Sequence, residues 1–363
     1  MEIAASAPGK LFVLGEYAVT AGEPAIVCAT ERRLECRIRE SAGAGRLRIR
    51  RSNGDTFDCP DNLSSVDDVP RPFRFAVAAA AVGRRTAALQ GIDLEILPGD
   101  TLDQGSPKVG LGGSAAVTAA ILAGLAEIPG AEFLRDPLRR SQLGIQAHRL
   151  AQRGGSGADV AASTIGGLVW VAGVGTATAP GTISEACETN APSLKVEPLQ
   201  LPPDTHLMAI ATGRAARSGP RATRFREGLH GRGALGDAGA QALQAWTLAM
   251  SEAAASFRNA CNKADSLAAQ AAVARGGILF RRLPSLSGLP VWSPELRRLQ
   301  AACRQEPRMA IKPSGAGGGD CAIALIRAPE PAFWQKNPVI QSQQTVELTT
   351  NGAGACAQRK TEL

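Results

Sequence analysis

Nowhere does the 363-residue chain run for about 18 apolar residues without interruption, and this excludes a membrane-spanning helix. The first ten residues lack the basic and apolar regions of a secretory leader, and no secretion is expected. Among the eight cysteines, at 28, 36, 59, 187, 261, 303, 321 and 356, no C-x-x-C pair occurs. Three histidines are too few to complete a zinc site at motif spacing. Scattered thiols in a chain of this length read as reduced core residues of a cytoplasmic protein. Aromatic residues make up 4% of the chain and do not interleave with basic ones, which argues against nucleic-acid binding. The P-loop spacing is absent, and so is G-x-G-x-x-G followed by an acidic residue. Lysine is scarce: seven, at 10, 108, 195, 263, 312, 336 and 360, among 40 basic residues.

What is present fits a soluble globular protein with 44% apolar and 20% charged residues. The length suits two packed lobes. A net charge of +7, spread along the chain, suits a small anionic substrate, with a merely basic surface as the alternative. Three of the seven lysines lie inside or beside glycine-rich segments. A compact, mobile ammonium suits a moving phosphoryl group differently from arginine's planar fork.

The chain is organised around Lys108-Val109-Gly110-Leu111-Gly112-Gly113-Ser114-Ala115, a glycine loop leading into an alanine-rich helix expected from Ser114 to Glu127. Gly110, Gly112 and Gly113 admit a bulky anion close to the backbone. With Ser114 as the expected cap, the helix start offers free N–H groups and partial positive charge, a site for phosphate. A tight turn is the competing reading.

Along the chain, a short buried strand is expected at Leu11–Leu14, after a tight Pro8-Gly9 turn. Charged–apolar alternation predicts strands at Arg33–Arg39 and Arg46–Arg50, and another strand falls at Ile92–Leu97. Residues 52–72 read as loop, and Phe75–Leu89 and Arg139–Gln152 as helices. Further expectations are one or two helical turns at Ala158–Ser163 and strands at Leu168–Ala172 and His206–Thr212. Helices are expected at Gln241–Ala260, at Asp265–Phe280 with an interruption near Gly276-Gly277, and at Pro294–Arg304. Short strands at Arg308–Ile311 and Cys321–Ile326 complete the reading. Pro, Ser, Thr and Gly-rich residues 173–204 mark the lobe boundary, giving an N-terminal lobe of 1–204 and a C-terminal lobe of 205–363. The fold class is α+β, two lobes with a cleft between them.

Phosphoryl transfer needs a phosphate cradle, a metal ligand, a cation over the transferring group and a group that positions the acceptor. Gly110 to Ser114 supplies the cradle, and the Ser114 hydroxyl is the metal-ligand candidate. Lys10 supplies a cation. Asp159, after Gly154-Gly155-Ser156-Gly157, supplies a carboxylate. Ser314 to Gly319 forms a second glycine loop, ending in Asp320. Each has a plain alternative: a solvated lysine, a helix N-cap for Asp159, a loop-bracing role for Asp320. Their joint occurrence favours the chemical reading.

These residues resemble the three motifs of the GHMP kinase superfamily, in the family's order. Pro8-Gly9-Lys10 with Gly15-Glu16-Tyr17 is similar to the first, Lys108 to Ala116 to the second, and Lys312 to Cys321 to the third. Within the superfamily the phosphomevalonate kinase branch is most similar, on Ala147-His148-Arg149-Leu150-Ala151-Gln152, Gly155-Ser156-Gly157-Ala158-Asp159 and Gly317-Gly318-Gly319-Asp320-Cys321.

The resemblance implies a two-lobe GHMP kinase fold, with a ribosomal protein S5 domain 2-like N-terminal lobe, a ferredoxin-like α+β C-terminal lobe and the active site in the cleft. It implies ATP and Mg²⁺, a monomer or homodimer, and transfer to the phosphate of (R)-5-phosphomevalonate. Lys10 and Asp159 would be catalytic. Lys108, Gly110, Leu111, Gly112, Gly113, Ser114 and Ala115 would hold the nucleotide, with Ser114 on the metal. Lys10, Lys108, Ser156, Arg214, Ser218, Arg221, Gly315, Ala316 and Gly317 would meet the substrate, with Arg217 and Lys195 as further cations. The chain departs from the family at Gly113, where many relatives have Ser, and at His148, where mevalonate kinases usually carry a magnesium-binding Glu. Residues 336–363 also depart, lacking the expected amphipathic helix and closing strand. An alcohol-accepting mevalonate kinase and a non-catalytic binding protein are the alternatives. The form of the third motif disfavours a diphosphomevalonate decarboxylase.

Overall fold

A computed structural model describes residues 1–41, 45–60, 62–84, 91–97, 112–174, 179–188, 194–212, 218–232, 236–304, 306–319, 321–328, 345–348 and 350–360. Two long antiparallel strands, β1 (Glu2–Leu14) and β2 (Ala25–Glu40), form the spine of the first lobe. In the outer half of β2, Leu34, Cys36 and Ile38 are buried while Arg33, Glu35, Arg37 and Arg39 alternate with them, as a sheet with one solvated face requires. The sheet extends through β5 (Ile92–Leu97) to β3 (Arg46–Arg51) and β4 (Thr56–Pro60). On the inner half of β2 pairs β6 (Leu168–Ala172), which carries β7 (Lys195–Leu199).

The buried face is covered by α1 (Arg74–Arg84), α2 (Gly113–Leu125), α3 (Pro137–Gln152) and α4 (Ala158–Ile165), with α5 (Ile183–Glu188) beside α1 and α3. Small residues let α2 sit almost on the strands: a Cβ at Gly124 would fall 2.5 Å from Ile38 Cδ1. The pattern of α2 is apolar nearly all round, as befits a central helix.

In the second lobe, β8 (Thr205–Ala211), β9 (Met309–Pro313), β10 (Cys321–Arg327) and β11 (Thr345–Glu347) form an antiparallel sheet in the order β11-β8-β10-β9. Leu207, Ala209, Ile323 and Leu325 pack toward α7 (Gly236–Asn262) and α8 (Ser266–Ser287). Met208, Ile210, Ala322 and Ala324 pack toward α9 (Pro294–Cys303). The α7–α8 core also takes in Leu11, Val13, Leu14, Tyr17 and Ile26 from the first lobe, so the seam between the lobes is apolar.

Several elements differ from the sequence expectations. Pro8 and Gly9 lie inside β1, where the register with β2 shifts between Pro8 and Lys10; the feature is a bulged strand that re-aims Lys10, not a turn. Between the strand expected to end at Thr212 and the helix expected from Gln241, where the sequence predicts no element, lies α6 (Ser218–Leu229), whose Phe225 is fully buried. Residues 52–72 include β4. α8 runs uninterrupted through Gly276 and Gly277, because these glycines let the helix touch Leu14 and β9. The departing tail supplies β11 to the second sheet and β12 (Cys356–Lys360) to the edge of the first, where it pairs with Glu2 to Ser6. Both are held by backbone pairing, which leaves little trace in side-chain pattern.

At the seam Lys312 Nζ donates to Glu16 Oε1, with the two side chains 0% and 2% exposed. Burial pulls the Lys312 pKa down and the Glu16 charge opposes that pull. The ammonium also stands 5.0 Å from the centroid of the Phe280 ring. Such a pair adds little net stability, but removing one partner strands a buried charge. Lys312→Met is expected to cost about 3–5 kcal/mol in urea unfolding, and the double variant with Glu16→Leu to recover most of that loss. Equal stability of the single variant and the wild type would contradict the assignment.

Candidate active site

Gly112 caps the start of α2 in the left-handed region, with φ 77° and ψ 42°, and no side chain caps the helix. Ser114 is therefore not the expected cap. It sits in the first helical turn, and its hydroxyl is engaged by a side chain from α3. Ala115 N and Ala116 N donate to Gly112 O at 3.1 and 3.2 Å, which leaves the N–H groups of Gly113 and Ser114, without a partner among the described residues, for an anion. A Cβ at Gly112 would fall 2.7 Å from Cε and 3.0 Å from Cγ of Lys10, so the bulge in β1 lays the lysine stem directly on the helix start. The Lys10 ammonium stands 4.9 Å from the Phe12 ring centroid.

From α3, His148 Nε2 lies 3.2 Å from Ser114 Oγ and 4.0 Å from Asp159 Oδ2. The imidazole is buried, and its ring packs on Phe75 at 4.8 Å. Burial lowers its pKa; Asp159 opposes this, and Lys10 and Arg149 add to it. The ring is thus neutral at pH 7. Among the described residues its Nδ1 has no hydrogen-bond partner. A buried lone pair is the milder orphan, so we place the proton on Nε2, facing Ser114 and Asp159.

Asp159 stands in the first turn of α4, behind the helix cap Gly157, and its side chain is 19% exposed. Burial raises its pKa, but His148, Lys10 and the backbone N–H groups of Val160 and Asp159 together outweigh burial and hold the carboxyl below its ordinary value. Oδ1 accepts from Val160 N at 3.0 Å. The corner before α4 is held from beneath by Arg149, which is fully buried. Its guanidinium donates to the carbonyls of Gly155 at 3.0 Å and Ser156 at 3.2 Å, and to that of Val174. Ser156 Oγ accepts from Ala158 N at 3.4 Å, turning the chain into α4.

The third motif docks on the first. Ser314 Oγ donates to Phe12 O at 2.8 Å, and Tyr17 Oη donates to Ala316 O at 2.7 Å. Arg221, from α6, donates to Gly317 O at 2.7 Å, so it braces this loop. Gly315 and Gly317 take φ of 65° and 66°.

The structure thus brings Lys10, Gly112, Gly113, Ser114 and Asp159 together, with Ala115 buried behind them. Ser156 forms the corner beside Asp159, and Gly315, Ala316 and Gly317 lie across the seam. Lys108, Gly110, Leu111, Arg214, Arg217 and Asp320 lie outside the described residues, as does the side chain of Ser218. Lys195 is exposed on β7 opposite Ala172, with none of these contacts. Sequence reasoning missed Arg149 and noted His148 for the carboxylate it replaces, not for its bond to Ser114. The available signal was their place amid the buried residues Ile145, Ala147 and Leu150.

A two-lobe α+β fold with a lysine laid on a helix start that has no side-chain cap, and a carboxylate beside it, defines a class of phosphotransferase. Residues 74–167 match the model of the GHMP kinases N terminal domain. The chain is 30% identical over 357 residues to the phosphomevalonate kinase of Streptomyces sp. (strain CL190), covering 89% of each chain. It belongs to the GHMP kinase family and is a kinase. Among solved structures, the Lin0012 protein from Listeria innocua superposes with a TM-score of 0.81 at 20% identity, covering 99% of this chain and 100% of that one. The Streptococcus pneumoniae phosphomevalonate kinase, in complex with phosphomevalonate and AMPPNP, gives a TM-score of 0.68 at 19% identity, covering 94% and 99%. The chain's similarity to phosphomevalonate kinase thus extends over most of its length.

Two measurements check this geometry. Arg149→Met leaves the carbonyls of Gly155 and Ser156 without their donor, and is expected to lower stability by about 1–3 kcal/mol. Activity should fall further than the folded fraction does; a variant with wild-type activity would show that Arg149 does not position Asp159. The second concerns pH. His148 binds protons less readily when folded than when unfolded, so its contribution is complete above about pH 6.5 and is lost as pH falls below it. The lowered pKa of Asp159 acts with the same sign, below about pH 4. The thermal midpoint should fall below about pH 6.5, and less steeply in His148→Gln.

Proposed function

We propose that this kinase transfers the γ-phosphoryl group of ATP to the phosphate of (R)-5-phosphomevalonate, giving ADP and 5-diphosphomevalonate on the mevalonate route to isoprenoids. The observation that carries the reading is the pairing of an acidified Asp159 with Lys10 and a neutral His148. Among the described residues no second carboxylate contacts Ser114, His148 or Asp159. A carboxyl held low is a weak base, poorly suited to deprotonating an alcohol. A phosphate acceptor needs no strong base, since its second pKa is about 6. Its difficulty is the approach of two anions, which calls for cations and positioning.

An acceptor phosphate oxygen attacks the γ-phosphorus as the bond to the β–γ bridging oxygen breaks, and ADP leaves with that oxygen. Lys10 lies where the transferring group meets the N-terminus of α2, and Asp159 orients the lysine and the acceptor. His148, donating from Nε2, fixes the Ser114 hydroxyl. Gly112 and Gly113 keep the cradle open to the phosphates.

Among the described residues no three of His, Cys, Asp and Glu form a metal cage. Ser114 Oγ would be the protein oxygen offered to a magnesium ion brought in with the nucleotide's phosphates. That ion supplies charge neutralisation between donor and acceptor. All eight cysteines are free thiols, which suits the cytoplasm. Among the described residues no helix is long and apolar enough to cross a membrane.

The test is ATP turnover with phosphomevalonate and, separately, with mevalonate. Turnover is expected with the first, and activity on mevalonate alone would sink the acceptor assignment. Lys10→Ala is expected to lower kcat by about 100- to 1,000-fold, as loss of a charge-stabilising donor does. Wild-type rates in both Lys10→Ala and Asp159→Asn would overturn the assigned roles.

A further inference from the structure

Three arginines of α6 have different fates. Arg221 is committed to Gly317 O. Arg224 lies against Gly288, its Nη2 3.0 Å from where a Cβ there would stand. Arg226 faces the first lobe: its Nη1 and Nη2 are 3.6 and 3.7 Å from the Cβ position of Gly154, at the corner that Arg149 holds and that leads to Asp159. Its guanidinium is half-buried and has no ion pair or hydrogen bond among the described residues. It lines a pocket of about 620 Å³ bounded by Thr20 and Glu23 after β1, by Gly155 at the corner, and by Thr247 on α7.

Among the described residues this planar fork grips no partner; it packs on the glycine corner and faces the pocket, where it can take a carboxylate. The pocket also holds carboxylates. Glu23 accepts from Ser251 Oγ at 2.6 Å, and Glu227 is exposed beside Arg226 on α6. With Arg232 as the other fixed cation of the lining, the balance suits one singly charged group better than a second phosphate. The corner has a cation at each end, Lys10 by Asp159 and Arg226 by Gly154, and so matches a molecule that is anionic at both ends.

We propose that Arg226 holds the carboxylate of the acceptor, the end remote from the reacting phosphate. This assignment rests on the reading of the acceptor as phosphomevalonate. Gly155 borders the pocket beside Arg226, and the acceptor's carbon chain is assigned to that pocket. The ordering of that remote end supplies binding energy that places the phosphate beside Lys10.

The test compares wild type, Arg226→Met and Arg226→Lys with ATP and phosphomevalonate, and repeats the assay with 3-hydroxy-3-methylbutyl phosphate, which lacks only the carboxylate. In Arg226→Met the KM for phosphomevalonate should rise about 10- to 100-fold, the loss of a hydrogen bond to a charged group. The KM for ATP should hold, and Arg226→Lys should recover part of the loss. Wild type and Arg226→Met should treat the analogue alike. An unchanged KM for phosphomevalonate in Arg226→Met, or an equal penalty on the analogue, overturns the assignment while leaving the acceptor reading intact. A wild-type enzyme without turnover on phosphomevalonate overturns the acceptor reading itself, and this assignment with it.

Discussion

The ion pair between Glu16 and Lys312 lies out of water in the seam between the lobes, and the rest of the cleft is referenced to it. Charges so deeply buried tolerate little displacement, since each loses its only strong compensation when they separate. The pair ties the end of β1 to β9. Around it, Ser314 reaches back to Phe12 and Tyr17 reaches forward to Ala316. Tyr17, the chain's single tyrosine, packs against Phe225 at 5.0 Å and also meets Trp246 and Phe280. One anchor therefore sets the first motif, the third motif and α6 in register.

The site beside that seam is electrically asymmetric. On the first-lobe side, burial keeps His148 neutral, while Lys10 and the backbone N–H groups of Val160 and Asp159 favour the charged form of Asp159. Nearby, Arg149 is committed to backbone carbonyls, so its charge is consumed in holding the corner. Lys10 is the cation left to act on a ligand among these groups, and its stem is confined between Gly112 and the strand. A lysine so held loses less freedom when it meets an anion, which is the benefit of preorganisation.

Much of the fold was legible because its elements obey simple periods. β3, β5 and β6 alternate or run apolar between clear breakers, and α3 and α9 open with Pro at the first turn. Where the sequence reading failed, a tertiary contact outweighed a local rule. Pro8-Gly9 resembles a turn, but pairing with β2 carries the strand through it as a bulge. Gly276-Gly277 resembles a break in α8, but the missing side chains serve contact with Leu14 and Ile311 O. The segment from Ser218 carries no element signal beyond its basic character, and becomes a helix because Phe225 is drawn into the core and its arginines reach loops of both lobes.

By itself the sequence determined the family's three glycine-rich motifs and their order, and singled out Lys10, Ser114 and Asp159 as candidates for phosphoryl transfer, because residue type and spacing carry that information locally. Only the tertiary structure decided that His148 faces Ser114, that Arg149 holds the Asp159 corner, and that Arg226, unpaired among the described residues, packs on it. It also decided that the tail closes both sheets. Those facts depend on burial and on contacts between residues far apart in the chain, and no local pattern encodes either.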